Sequence, residues 1–574
     1  MILASGFLAC FVYCFAIGTL WPGSSAYGRW LAWASTVAKA LWISWLVAVT
    51  SYLFRVNNPL PFFILLLSIS SLIRLFNPPD LYLPSVLHGR VKYLVDLFVV
   101  ASLVWLTFKA ISLIPTPLGL FTEWDAVVSW NRWAIEWATS TYNPATAAYP
   151  ILFPGIWSLI YRAQDTSEIW FTAKISLYIV PFICILILAS LAEQGFLKTA
   201  IFTTFGFILM VCNFREATVS GYMDAPVALM MLASGLWMIL ITIKPSSSDC
   251  LWPLSALVGV TAITKQSGLL MFIPYLLVLI VQIRETKAGW KLALKQLAVA
   301  LIPMMTFMAI YFAREPSPIG NLSLLSNIAA NSAKHNSSIL HAFNLLFSGW
   351  HWVTLLPLLS MSLLNIFRPG KAPSLIGAAF LVLFICFFPV YAKCCSYDVR
   401  NGWWLISLLL LSAVCGVIGL ELNHKIHDIS STRPSLSIRS RWGIVLLITI
   451  LIALAGYWAP NKQLLSLQND LQWNVGYPSI SALIRKHRHL ITADTKLVTT
   501  YMPTRWLPGL EDSYVWCQNR LNDVAECVYS NIDAHRSFIL KRELDYMFLD
   551  QSIKENYLLD QVDGFQLYGP LEPS

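Results

Sequence analysis

Charge is what this chain has least of. Only 12% of its 574 residues are Asp, Glu, Lys or Arg, about half the share of an ordinary soluble domain. With 39 basic and 30 acidic side chains it cannot cover a globule of this size with charged surface, which excludes a soluble enzyme, a nucleic-acid binder and a disordered scaffold. No Cys-x-x-Cys or Cys/His zinc spacing occurs, and no glycine-rich nucleotide loop follows a strand. The apolar N-terminus lacks the basic flank of a signal peptide, so its first run reads as a retained span. What the chain has is apolar length, with 57% hydrophobic residues and a mean hydropathy of +0.63. That is the composition of a polytopic α-helical membrane protein, in which a net charge of +9 reports topology rather than nucleic acid.

A hydrocarbon core of about 30 Å needs on the order of 20 apolar residues per helical span. Runs that qualify lie at 2–20, 30–54, 60–75, 93–114, 169–193, 198–213, 222–243, 250–264, 267–283, 291–312, 340–366, 374–391, 402–420 and 442–459, which predicts 13–14 spans. The runs 250–264 and 267–283 are either one broken helix or two. Basic residues concentrate in alternate loops, most heavily in 421–441 with Lys425, Arg433, Arg439 and Arg441. Those loops are expected to be cytoplasmic. The segments near 115–168, 213–222, 313–339 and 392–402 then face outward, with everything after about residue 460.

Composition changes at Pro460. The tail to Ser574 carries many charges, alternating stretches such as KLVTTYM and DYMFLD, and a helical stretch near Tyr477 to His489. Its length suits a small α/β domain on the outer face. Its two cysteines, Cys517 and Cys527, are expected to pair in an oxidising compartment, while the other nine read as small core residues.

Ions at membrane depth are costly, so each one at a span's edge is a functional candidate. Four groups stand out. Residues 121–137 (FTEWDAVVSWNRWAIEW) place Glu123 and Asp125 ahead of Trp130, Trp133 and Trp137, the spacing of an interfacial amphipathic helix with its aromatic face toward lipid. Those two carboxylates are either helix caps or reactive groups. Residues 213–229 (NFREATVSGYMDAPVAL) bring Arg215, Glu216 and Asp224 to one span edge, where Asp224 also reads as the start of a helix with Pro226 just inside it. Residues 263–268 (ITKQSG) carry Lys265, either a site cation or a lysine snorkelling to the interface. Residues 391–404 (YAKCCSYDVRNGWW) carry Lys393, Asp398 and Arg400, which are either site residues or partners of one another. All four share the outward side. Acids and cations around a tryptophan-rich vestibule suit a substrate with an anionic head and a lipid tail.

At these residues the chain resembles the GT-C superfamily of polyprenyl-phosphate-dependent glycosyltransferases, which includes protein O-mannosyltransferases, lipid A aminoarabinose transferases and bacterial cell-surface enzymes. The acidic pair Glu123-Trp124-Asp125, the following helix and Tyr149-Pro150 are similar to the family's first outward loop. SGYMDAPVAL, ITKQSGLL and YDVRNGWW are similar to its later motifs, and place Asp224, Lys265, Asp398 and Arg400. The acidic loop usually follows the family's first helix, whereas here about three further spans precede that helix, so residues 1–92 read as an N-terminal extension, 93–459 as the GT-C-like domain and 460–574 as the outward domain.

The resemblance implies transfer of a sugar from a polyprenyl-phosphate-linked donor to a lipid, glycan or protein acceptor, with inversion, at the outer face of a bacterial inner membrane. Asp125 would be the general base, and Glu123 would orient the acceptor or share a divalent metal with it, since the family has both metal-dependent and metal-independent members. Asp224, Tyr222 and Tyr149 would touch the acceptor or the groups that hold it, and Arg400 and Lys265 would take the donor phosphate. The competing classes are a transporter or lipid flippase, to which many helices and intramembrane ions are equally natural, and a relative that binds lipid-linked sugar without turnover. No inverted repeat is visible in the sequence, and a large outward tail has no transport rationale.

Overall fold

The structure is a computed structural model. It describes residues 2–20, 28–59, 61, 64–65, 68, 90–112, 121, 126–142, 149–167, 170–243, 251–286, 289–314, 338–347, 352–367, 372–396, 398–430, 480, 483–484, 486–492, 495–499, 514–516, 523–542, 553, 556–562 and 565–573. The chain opens with α1 (Ile2–Cys14), α2 (Arg29–Phe54) and α3 (Arg90–Ser112). Then come α4 (Arg132–Thr139), α5 (Leu152–Gln164), α6 (Phe171–Ser176), α7 (Ile179–Glu193), α8 (Leu197–Phe214) and α9 (Asp224–Ile243). They are followed by α10 (Leu251–Ala262), α11 (Phe272–Thr286), α12 (Trp290–Arg314), α13 (Ile339–Leu346), α14 (Trp352–Phe367), α15 (Ala372–Cys394) and α16 (Trp403–Ser430). The tail adds β1 (Lys496–Thr499), β2 (Tyr514–Trp516), α17 (Asp523–Ala534), β3 (Ser537–Arg542), β4 (Leu558–Val562) and β5 (Phe565–Leu571).

Among the described residues, eight helical segments are long and apolar enough to cross a membrane, and three shorter apolar helices accompany them. This is an integral membrane protein. The predicted runs at 222–243, 291–312, 374–391 and 402–420 became α9, α12, α15 and α16. The run 340–366 is split into α13 and α14 and the run 169–193 into α6 and α7, while 250–264 and 267–283 are two helices rather than one, with Lys265 in extended backbone between them. The runs 60–75 and 442–459 lie almost wholly or wholly outside the described residues.

The central element is α9, buried along nearly its whole length. It packs on α16 and α7, and α16 in turn on α14 and α15. Apolar side chains alone do not fix helices in a lipid-like interior, so polar contacts between small residues matter. The Ser407 hydroxyl donates to the Ala228 carbonyl at 2.7 Å, tying α16 to α9. Asn365 Nδ2 donates to the Ser412 carbonyl at 2.7 Å, tying α14 to α16. Gly235 admits Leu411 where any Cβ would collide with its methyls.

The tail is a five-stranded sheet in the order β2-β1-β3-β5-β4. β1 pairs parallel with β2 and β3, and β5 pairs antiparallel with β3 and β4. Parallel pairing needs a crossover, which α17 supplies between β2 and β3. The expected α/β tail is therefore present, with β1 on the predicted KLVT stretch. DYMFLD and Cys517 lie outside the described residues, and with them the pairing to Cys527. Among the described residues a disulfide joins the neighbours Cys394 and Cys395, which had read as ordinary core residues.

Candidate functional site

The site is built on the start of α9. A 3₁₀ turn (Arg215–Thr218) closes α8, and the chain then reverses through Gly221 at φ +100°, a conformation that favours glycine. A Cβ at Gly221 would also stand 2.5 Å from the Phe121 ring and 2.7 Å from Ala126. The glycine thus lets the turn seat against the two residues that bracket 122–125. Glu123 and Asp125 themselves lie outside the described residues. Tyr222 and Asp224 follow, both buried, with Asp224 in the first helical turn, where a carboxylate favours the helix dipole.

Two cations reach these residues from elsewhere. Lys265, at the break between α10 and α11, donates its Nζ to Asp224 Oδ1, and the two side chains are 18% and 8% exposed. Gly268 makes that break tight, because a Cβ there would lie 2.0 Å from the Thr261 carbonyl oxygen. From the other side, Arg400 lies in a 3₁₀ turn (Val399–Gly402) whose N-cap is Asp398. The Asp398 carboxylate accepts from the Arg400 backbone N–H at 2.9 Å and from Nε at 2.8 Å, with Nη2 as a further donor. The guanidinium lies 3.8 Å over the Tyr222 ring, and the Arg400 and Asp398 side chains are 26% and 24% exposed. Tyr222 and Asp224, two residues apart, thus each meet one cation, the first through its ring and the second through an ion pair.

The segment 149–152 joins the same place. The Leu152 N–H donates to the Ile263 carbonyl at 2.8 Å, so the Tyr149-Pro150 element is hydrogen-bonded to the strand of chain that presents Lys265. Tyr149 stacks on Trp133 at 6.0 Å and meets Trp130 edge-on at 5.6 Å. Of the predicted site residues, Tyr149, Tyr222, Asp224, Lys265, Asp398 and Arg400 are therefore connected through described contacts. Arg215 and Glu216 occupy the turn before Gly221, and nothing is described of their side chains.

One expectation is overturned. The tryptophans of 121–137 do not face lipid, since Trp130, Trp133 and Trp137 are all buried in protein. Trp137 stacks on Tyr52 at 4.8 Å and packs against Trp45 at 5.4 Å, both on α2. The stripe is packing surface between the outward loop and the bundle. Arg162 fixes it by donating Nη2 to the Trp137 carbonyl at 2.8 Å and to Ser140 Oγ at 3.0 Å. Sequence spacing reported one apolar face and could not say what covers it.

Pairings between distant residues were also missed. Asp224 and Lys265 are 41 positions apart, and no local spacing announces that contact. For Asp398 and Arg400, the plainer of the two readings, mutual pairing, is what the structure contains. Among the described residues no group of three or more His, Cys, Asp or Glu side chains is placed to hold a metal ion.

The fold is similar to that of ArnT from Cupriavidus metallidurans, in a crystal structure with undecaprenyl phosphate bound. The TM-score is 0.50 and the identity 14%, over 85% of this chain and 100% of that one. The chain has a GT-C fold. The apo structure of the same ArnT gives a TM-score of 0.49 and 15% identity, over 84% of this chain and 98% of that one. No protein-family model matches the sequence, and neither does any curated protein.

Proposed function

We propose that the chain is a membrane glycosyltransferase that moves a sugar from a polyprenyl-phosphate-linked donor to an acceptor hydroxyl at the outer face, with inversion. The observation that carries this reading is the meeting of Lys265 and Arg400 on Asp224 and Tyr222, two residues apart, at one end of the central helix of a GT-C fold. That a neighbour of this fold binds undecaprenyl phosphate supports the donor class.

In such a reaction the bond between the sugar's C1 and the phosphate oxygen breaks, and its electron pair leaves with the phosphate. The acceptor oxygen bonds to C1 from the opposite face, and its proton passes to a base. Little covalent chemistry falls to the protein. Lys265 and Arg400 stabilise the charge that grows on the leaving phosphate, which is worth most where water is scarce. Asp125 takes the proton and Glu123 orients the acceptor, on the strength of the acidic motif. Tyr149 and Tyr222 form walls near the reacting sugar.

Binding of undecaprenyl phosphate to the purified protein, compared with neutral undecaprenol, tests the donor class. Arg400→Ala is expected to weaken the phosphate by about tenfold or more and leave the alcohol unchanged, since charge-assisted bonds are worth roughly 1.5–3 kcal/mol. Equal affinity of the native protein for both lipids would overturn the reading.

A further inference from the structure

The donor and the product of the proposed reaction differ in charge, and the site's own charge is arranged around that difference. A polyprenyl-phosphate sugar is a phosphodiester and carries one negative charge. Once the C1–O bond has broken, the lipid phosphate is a monoester. With a second pKa near 6 it carries close to two negative charges at neutral pH. Two bare cations would match the dianion and hold it. Tight binding of product gives no rate, and product release is a common limit on turnover.

The cations here are not bare. Lys265 gives Nζ to Asp224, and Arg400 gives Nε and Nη2 to Asp398. Neither carboxylate is free to move away when a lipid phosphate arrives. Asp224 is fixed in the first turn of α9 and is nearly buried. Asp398 is two residues from Arg400 and caps the turn that carries it. The Tyr222 ring under the guanidinium, 3.8 Å away, holds that group in one plane. The two cations and two carboxylates sum to zero charge. A phosphate entering the site must therefore share each cation with a fixed competitor.

We infer that Asp224 and Asp398 are positioning residues that act through Lys265 and Arg400 as permanent counter-ions, lowering the site's affinity for the departing lipid phosphate so that product is released. This rests on the donor-phosphate reading of the site. It assigns the carboxylates a role that a purely structural ion pair would not have, because removing the charge should strengthen ligand binding rather than weaken it.

The test measures binding of undecaprenyl phosphate, the product itself, to the full-length protein in detergent or nanodiscs. Undecaprenol serves as the neutral control for the tail. Asp224→Asn keeps the size, the helix-starting role and an acceptor for Lys265, and Asp398→Asn keeps the cap. Each is expected to tighten undecaprenyl phosphate, on the order of tenfold for Asp224→Asn from loss of one charge at a few ångströms in a partly buried site, and less for the more exposed Asp398→Asn. Undecaprenol should bind all variants alike, Asp224→Glu should restore native affinity, and added salt should narrow the gap. Unchanged or weaker phosphate binding in both Asn variants, with the alcohol still bound, overturns the inference while leaving the donor reading intact. If Asp224→Asn loses undecaprenol too, its fold is damaged and Asp398→Asn decides. A native protein that does not prefer the phosphate to the alcohol removes both readings together.

Discussion

Two charge clusters mark the opposite ends of α8, an 18-residue helix about 27 Å long. At its C-terminal end lies the Asp224–Lys265 and Asp398–Arg400 arrangement. At its N-terminal end Arg29 of α2 pairs with Asp96 of α3 and, at 3.5 Å, with Glu193 of α7. Nearby, Glu421 of α16 accepts from Thr199 Oγ1 at 2.8 Å and from its backbone N–H at 3.3 Å, capping the first turn of α8. The second group ties four helices and a helix terminus together. Its acids are committed to backbone or to a neighbouring helix, and Glu193 is only 4% exposed. In the first group the residues that meet the two cations, Asp224 and Tyr222, are two positions apart, and an aromatic ring lies under Arg400. Membrane-edge charge alone therefore does not mark a site, and neither does exposure, since Arg29 is 32% exposed. Two cations gathered on one short turn, with a ring under one of them, are what separate the proposed place for a ligand from a clasp.

The sharpest way to break this contrast is to remove a reacting group at one end and a clasp at the other, and to ask which loses turnover. Asp125→Asn is expected to lower the transfer rate by about 10²–10⁴ while thermal stability and undecaprenyl phosphate binding stay native. Native turnover in Asp125→Asn with an inactive Glu123→Gln would move the base by two residues. Glu193→Gln should do the reverse. It leaves Arg29 without one partner and the Trp30 N–H without a carboxylate, at a cost of roughly 1–3 kcal/mol, and should leave lipid affinity alone. Thermal unfolding in detergent reads the first effect. A Glu193→Gln protein of native stability but altered affinity would reverse the roles of the two ends.

Gly221→Ala tests the turn on which the outward site stands. Its φ of +100° disfavours a side chain, and the new methyl would collide with Phe121 and Ala126. About 1–2 kcal/mol of destabilisation is expected from the backbone term. Because the displaced neighbours bracket the acidic segment, activity should fall further than stability alone explains. Equal loss of both would make the turn merely structural.

The sequence disclosed much of this because the bilayer forces a simple code. Long apolar runs became α9, α12 and α15 to within a few residues, α16 continued about ten residues past its run, and abrupt polarity after Pro460 marked an α/β tail. Asp224, Lys265 and Arg400 were legible as costly ions on one predicted side. Their connections were not. Lys265 finds Asp224 across 41 residues, and the Tyr222 ring under Arg400 comes from the turn before α9, far away in the sequence. The tryptophan stripe misled because an apolar face packed on α2 has the same periodicity as one facing lipid. The run 340–366 reads as one span because the short stretch Ser348-Gly349-Trp350-His351 is uncharged and is flanked by long apolar segments.

The smallest effect belongs to a third cluster, in the tail, which calibrates the other two. Asp560 on β4 accepts from Lys486 Nζ and from His487 Nε2, both at 2.8 Å. These bonds, with the Lys486 ammonium first among them, hold its carboxyl well below the usual carboxylate range. A depressed value means that the folded state favours the ionised form. The stability it adds is fully present above the ordinary carboxylate pKa near 4 and is lost as pH falls below that toward the folded value. Lys486 is mostly exposed, so water and salt screen the pair, and the contribution should not exceed about 1 kcal/mol. Asp560→Asn is therefore expected to cost little at pH 7, less still near pH 3, and nothing in lipid binding at any pH. Hydrogen exchange of the β4 and β5 amides in the native protein and the variant, at the two pH values, reads the difference where it arises. A cost that grows with acidity would mean that the carboxylate is protonated in the folded state. A change in undecaprenyl phosphate affinity would mean that the tail communicates with the membrane site, and the separation between clasps and site would then have to include the sheet.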